Sequence, residues 1–205
     1  YATQSVWKMK NSTIIKSGLL MFIFTFACVF IVSLAEKNTK DRIEINEQQL
    51  LIKRLNEIVT EYDNPILSES FVRNINLHGI EQIVTIFPAK NNNKVFAHLV
   101  EHTYPNGYNG NIRLLTGISV TGELLGVRVI NHKETPGLGD KIETRKSDWI
   151  KSFTGLSLNQ PEKSKWKVKR DGGFFDQFTG ATITPRAIVT AAYQILDYFD
   201  KYEIK

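Results

Sequence analysis

A chain of 205 residues with 42% hydrophobic and 23% charged content has room for one ordinary domain and an appendage, and its composition is that of a folded protein. The net charge of +5 does not mark a nucleic-acid binder: three of the 26 basic residues, Lys8, Lys10 and Lys16, lie in an acid-free stretch over residues 1–35, and the rest is nearly balanced against 21 acidic residues with no basic stripe interleaved with aromatics. The one cysteine, Cys28, excludes an intrachain disulfide and a cysteine-type zinc site, and a cysteine-free remainder is compatible with an oxidising compartment.

Ser17 to Ala35 reads SGLLMFIFTFACVFIVSLA, without a charge. At about 1.5 Å per residue, such a helix nearly crosses about 30 Å of hydrocarbon. Two readings compete with a membrane anchor, a signal peptide and a buried core helix. The apolar core of a signal peptide usually ends after about 7–15 residues at a small-residue site, whereas bulky side chains here continue through Phe30, Ile31 and Val32. The run is also apolar on every face, which favours lipid over a protein core. Lys8, Lys10 and Lys16 favour a cytoplasmic N-terminus, by a margin that Lys37, Lys40 and Arg42 narrow. The expected division is a cytoplasmic arm over 1–16, a transmembrane helix over 17–35, a helical membrane-proximal segment over 36–75 and an extracytoplasmic domain over 76–205.

Residues 43–62 carry Leu51, Leu55, Ile58 and Tyr62 at helical spacing, and Asp63-Asn64-Pro65 is the expected stop. A strand is predicted over 82–87, ending at Pro88. Asn91-Asn92-Asn93 is a turn, and a strand over 95–102 places Phe96, His98, Val100 and His102 on one face. Pro105-Asn106-Gly107 and Asn109-Gly110 are turn chemistry. Residues 112–120 and 123–131 flank Thr121-Gly122 as an antiparallel hairpin. Ser147 is placed to cap a short helix through Phe153, and 166–169 reads as a further strand. Thr184-Pro185 reads as an N-cap followed by proline at the first helical position, and Ile188, Ala191, Ala192, Ile195, Leu196 and Phe199 form the apolar face of the last helix. The fold class is α+β: an N-terminal transmembrane helix, then one domain with a twisted, largely antiparallel sheet and flanking helices.

Residues 171–186 read DGGFFDQFTGATITPR. A small-residue turn containing Gly180 and Ala181 precedes a helix whose positive end and unpaired N–H groups suit a phosphate. Arg186 in the first turn could add charge-assisted hydrogen bonds, and Thr179, Thr182 and Thr184 crowd the turn with hydroxyls. Local physics alone favours a plainer account, a capped helix start with nothing bound, because threonine-rich caps are common.

Asp176-Gln177-Phe178-Thr179-Gly180-Ala181-Thr182 resembles the D-x-x-[S/T]-G-A-T flavinylation motif of the FMN-binding domain family. The resemblance implies FMN joined covalently through its phosphate to Thr182 by a separate flavin transferase that uses FAD and a divalent metal. It also implies a recognition role for Asp176. A need for an outside enzyme agrees with the residues, which offer no evident base to activate that hydroxyl, so no catalytic residue and no metal ligand is assigned to the chain itself. His132-Lys133-Glu134-Thr135-Pro136-Gly137-Leu138-Gly139 resembles the H-x-E-T-P-G-L-G stretch of the same family, which lies against the flavin ring. Glu134, Thr135, Leu138 and Gly139 thereby join Thr179, Gly180, Ala181, Thr184 and Arg186 as expected cofactor contacts. The Rossmann and P-loop glycine patterns are both absent.

The likeness runs from the anchor through Gly107-Tyr108-Asn109-Gly110 to the last helix. The TGATITPR segment and the compact length are similar to the G subunits of Rnf-type electron transport complexes. The related C subunit of the sodium-pumping NADH:quinone oxidoreductase is usually longer and continues differently after the motif. The resemblance implies an electron-carrying subunit of an ion-translocating complex linking ferredoxin and NAD chemistry. Such a subunit would be a single-pass protein of the bacterial inner membrane with a periplasmic C-terminal domain. Its partners would be other membrane and redox subunits, and the transferase during maturation. The alternatives are that C subunit and a membrane-tethered binding or assembly protein without a redox role.

Other residues invite weaker readings. His98 and His102 would pair on a helix, but on a strand they stand about 13 Å apart at about 3.3 Å per residue, too far for one metal. Trp149 and Trp166 are expected in the core, and Asp171 with Asp176 reads as part of a glycine turn at Gly172 and Gly173 rather than as a metal pair.

Overall fold

A computed structural model describes residues 2–77 and 79–202, with side chains from Ile14 onward, so Lys8 and Lys10 of the N-terminal arm lie outside the described side chains. The chain divides into a unit up to Gln49 and a second unit from Leu50 onward. From Ala2 onward the first unit is helix, the larger part of α1, Ala2–Ile58. This helix is long and apolar enough to cross a membrane. Its apolar side chains are exposed, Leu20 and Phe24 at 71% each, which removes the buried-core reading. Phe22, Phe26 and Phe30 stack at one-turn intervals, their ring centres 6.3 and 6.4 Å apart.

No break separates the apolar run from the amphipathic stretch, because residues 36–58 contain neither glycine nor proline. The helix stops at Ile58, short of the expected Asp63-Asn64-Pro65. Arg128 takes over its end, donating from Nη2 to the Glu57 carbonyl at 3.0 Å. Asn64 serves the sheet instead: its Oδ1 accepts the Lys90 N–H at 2.9 Å and its Nδ2 donates to the Pro88 carbonyl at 3.0 Å.

The second unit is built on an antiparallel meander of β1 (Phe71–Leu77), β2 (Ile80–Asn91), β3 (Lys94–Gly107), β4 (Gly110–Ser119) and β5 (Leu124–Asn131), paired in sequence order. The predicted hairpin around Thr121-Gly122 is present, with Gly122 at φ 83° in the turn. β1 was not anticipated. It is an edge strand in which Ile75 and Leu77 are the buried residues, and Asn74 and Asn76 interrupt its β-forming pattern. Pro88 does not end β2. It lies beyond the last β1 partner, Ile86, where β2 is bonded on one side and a missing N–H is tolerated. Phe96 leaves the His98 face because a register shift opposite Ala89/Lys90 lets it join Ala97 and Leu99 on the other side. Residues 166–169 form no named strand. Trp166 and Lys167 are bends, Val168 makes an isolated bridge to Phe175, and Lys169 opens the 3₁₀ segment Lys169–Asp171 that follows Lys163–Lys165.

One sheet face packs on α2, Ile183–Lys201, through Val84, Ile86, Ile112, Leu114 and Val127 against Ile188, Ala192 and Ile195. Phe153 and Phe175 stack beneath at 4.5 Å. The opposite face carries Phe87, Ala97, Leu99 and Leu115 against Leu55 and Val59. There Ile58 rests on Gly117 and Gly126, paired across β4 and β5; a Cβ on Gly117 would lie 2.4 Å from Ile58 Cγ2.

Candidate functional site

The segment leaving β5 turns sharply at the residues that resemble the flavin-contacting loop. The N–H groups of Leu138 and Gly139 both donate to the Thr135 carbonyl, at 3.2 and 3.1 Å, and Gly137 takes φ 78°. This turn makes one wall of a cleft of about 400 Å³, lined by Glu134, Thr135, Leu138 and Gly139. Gly180, Ala181 and Thr182 form the facing wall, continued by Ile183 and Thr184 in the first turn of α2. Tyr108, at the β3–β4 hairpin tip, closes a third side. A volume of this order suits a small organic cofactor.

Glu134 holds the three sides together. Its carboxylate is buried, accepts the Asn109 N–H at 3.0 Å and accepts the Thr184 hydroxyl. Asn109 Nδ2 donates to Thr135 Oγ1 at 3.2 Å, tying the hairpin tip to the loop a second time. A Cβ on Gly139 would stand 2.8 Å from Thr184 Oγ1 and 2.9 Å from Glu134 Cβ, so this contact requires glycine. Behind the loop, burial raises the Glu143 pKa, but hydrogen bonds from Arg145 and His132 outweigh it and hold the carboxyl below its usual range.

The helix begins two residues earlier than the Thr184-Pro185 pattern predicts: Thr182 is the N-cap and Pro185 is already inside. Thr184 is drawn away from capping by Glu134. Thr182 makes no side-chain cap hydrogen bond, so its partly exposed hydroxyl is not committed to the helix end. Gly180, at φ 81°, brings the turn close to Leu138 Cδ2, 3.3 Å from where a Cβ would be.

Eight of the expected contacts therefore meet at one cleft, and Thr179, Arg186 and Asp176 do not line it. Arg186 makes a bidentate pair with Asp171, at 2.6 and 2.7 Å, which lowers the Asp171 pKa and raises its own. Asp176 is exposed and paired with Lys169 at 2.6 Å, and its carbonyl accepts the Trp149 indole N–H at 2.8 Å. Tyr108 and Ile183 were not singled out from sequence. The signal for Tyr108 was its place between two turn glycines, Gly107 and Gly110, and for Ile183 its adjacency to the motif. Trp149 and Trp166 pack in the aromatic cluster around Phe153 and Phe175, away from the cleft lining. His102 bonds Thr116 Oγ1 at 2.9 Å and His98 packs against Phe199 at 5.9 Å.

Compared with known proteins, residues 107–197 match the FMN-binding domain family, and residues 9–58 match the RnfG N-terminal region. The G subunit of the ion-translocating oxidoreductase complex of Shewanella oneidensis is 42% identical over 94% of this chain and 92% of its own length. The protein of the same name from Vibrio vulnificus is 42% identical over 91% of this chain and 90% of its own. That of Shewanella amazonensis is 43% identical over 91% and 88%.

Proposed function

The chain belongs to the family of G subunits of ion-translocating oxidoreductase complexes, and from that premise we propose that it is a membrane-anchored electron carrier holding FMN covalently on Thr182. The observation that carries the attachment site is the position of the Thr182 hydroxyl. It lies in the cleft, at the start of a long helix, and makes no cap bond. Helix-start N–H groups favour a phosphate beside it. Glu134, Thr135, Leu138 and Tyr108 offer a wall that is part polar and part apolar, which fits an isoalloxazine ring.

In maturation the Thr182 hydroxyl takes the FMN phosphoryl group from FAD. Its oxygen would form a new bond to the FMN-side phosphorus of FAD while the bond from that phosphorus to the bridging oxygen breaks, and AMP would leave carrying the bridging oxygen. The hydroxyl proton goes to a base on the transferase, since the carboxylate lining this cleft, Glu134, is already engaged by Asn109 and Thr184. Bound FMN supplies one- and two-electron redox chemistry. The chain contributes position: Thr182 fixes one end, Leu138 and Ile183 exclude water from part of the cleft, and Glu134 holds the walls in register. Asp176, exposed beside the turn and paired with the surface Lys169, is accessible to the transferase, and Arg186 is held by Asp171 outside the cleft lining. The neighbours in electron transfer are other redox subunits of the complex.

We place the N-terminus in the cytoplasm and the second unit on the periplasmic side of the bacterial inner membrane, as Lys8, Lys10 and Lys16 ahead of the apolar run suggest. The chain's lone cysteine lies inside that run, so a Cys28→Ser, Ser152→Cys variant reports sidedness with a membrane-impermeant maleimide. Labelling in intact spheroplasts agrees with the placement, and labelling only after lysis contradicts it. For the attachment, the full chain co-expressed with a flavin transferase and run on a denaturing gel should fluoresce, and Thr182→Ala should not. A dark wild-type band rules out covalent flavin.

A further inference from the structure

The loop wall of the cleft is held at its root by one imidazole. His132 Nδ1 lies 2.9 Å from the backbone nitrogen of Glu134, whose N–H can only donate. Nδ1 is therefore the bare, accepting nitrogen and the ring proton sits on Nε2. Nε2 lies 2.8 Å from Glu143 Oε1, which accepts that proton's hydrogen bond. Arg145 Nη2 reaches the same oxygen at 3.1 Å. The neighbouring Thr144 hydroxyl accepts from Arg54 Nη1 at 3.2 Å, so the far end of the loop is tied to the last turn of α1. Both members of the His132–Glu143 pair are 11% exposed, which shields the bond from competing water.

His132 itself does not line the cleft; it faces a separate groove. It touches Glu134 only through the backbone, and Glu134 in turn binds the hairpin tip at Asn109 and α2 at Thr184. We propose that His132, in its Nε2–H form and anchored by Glu143, is a positioning residue that fixes the Glu134 amide and so sets Thr135 and Leu138 opposite Thr182. This deepens the reading of Thr182 as the FMN attachment site and rests on it.

The test separates the two nitrogens. Asn Oδ1 stands where Nδ1 stands and can accept from the Glu134 N–H, while Gln reaches the Nε2 position and can serve only Glu143. The full chain is made without the transferase for amide hydrogen exchange over residues 134–139, and with it for intact mass and for the flavin midpoint potential. His132→Gln should raise exchange across that segment about tenfold, the worth of one lost hydrogen bond. It should also lower the flavinylated fraction and shift the potential, whereas His132→Asn, which keeps the bond to the Glu134 N–H and loses the anchor on Glu143, should show a clearly smaller change in all three. Wild-type exchange in His132→Gln, or equal losses in His132→Asn and His132→Gln, overturns the proposal. Should His132→Gln fail to fold, Glu143→Ala frees the ring from outside the loop root, and unchanged exchange at 134–139 in that variant overturns it equally. A wild type that carries no covalent flavin would defeat the Thr182 reading, while the exchange comparison without transferase would still decide the role of His132.

Discussion

Two helices close the two faces of one sheet, and they do so by different means. Against α2 the sheet sets aliphatic side chains in a broad cluster that the segments after β5 extend with aromatic rings, where Phe175 stacks on Phe153 at 4.5 Å and meets Trp166 at a tilt at 5.5 Å. Against the end of α1 the apolar cluster is smaller, with Leu55 and the following Val59 on Phe87, Ala97, Leu99 and Leu115, and a glycine pair and the buried Arg128 are added to it. The first face is a core, stabilised by apolar area and indifferent to direction. The second is a joint, where close approach and hydrogen bonds fix one particular helix end: Arg128 Nε meets Glu57 Oε2 at 3.0 Å while its Nη2 meets the Glu57 carbonyl. The cleft belongs to the core side, since one of its walls is the start of α2.

If that contrast is right, the largest loss of stability comes from the core. Phe175→Ala should cost about 3–5 kcal/mol in denaturant unfolding of the full chain in detergent, because a buried ring leaves a cavity. A cost below about 1 kcal/mol would mean the cluster is not the core. The joint should respond to shape instead. Gly117→Ala should cost about 1–3 kcal/mol by pushing on Ile58, and Ile58→Ala in the same chain should recover much of it. Strict additivity of the two changes would show that Ile58 does not sit on that glycine. Arg128→Met keeps the packed stem and drops the bonds to Glu57, with an expected loss of about 1–2 kcal/mol because Glu57 keeps Arg54 and is partly exposed. No loss at all would make the ion pair incidental.

The smallest effect concerns pH on the core side. Burial holds the His98 pKa below its ordinary value, and the charge of Arg73 adds to this. The unfolded chain therefore takes up the proton first. The stabilising contribution is complete above about pH 6.5, the unfolded value, and is lost as pH falls through the lower folded value. Melting temperature should decline between about pH 7 and pH 5, and His98→Phe should flatten that slope. An unchanged slope in the variant would assign the decline to other groups.

The contrast also explains what could be read from residues alone. The α2 stripe of Ile188, Ala192 and Ile195, the Leu51, Leu55 and Ile58 stripe and the Thr121-Gly122 hairpin are local patterns, and each stands where periodicity put it. The cleft walls were legible because two motifs, each contiguous in sequence, supply them. What escaped depends on partners far along the chain. Asn74 and Asn76 belong to a strand only because β2 is there to pair with them. Pro88 survives in β2 because β1 has ended, and Phe96 changes face because of a bulge. Arg186 is placed by Asp171 rather than by the turn beside it, and Thr184 is placed by Glu134, fifty positions earlier.

The central claim is a phosphoester on Thr182, and intact mass measures it most directly. The full chain purified after co-expression with a flavin transferase should be heavier than its sequence by one FMN less one water, with the added mass mapping to the peptide containing Thr182 and absent from Thr182→Ala. A wild-type mass equal to the bare sequence, or an adduct that persists in Thr182→Ala, would contradict the account.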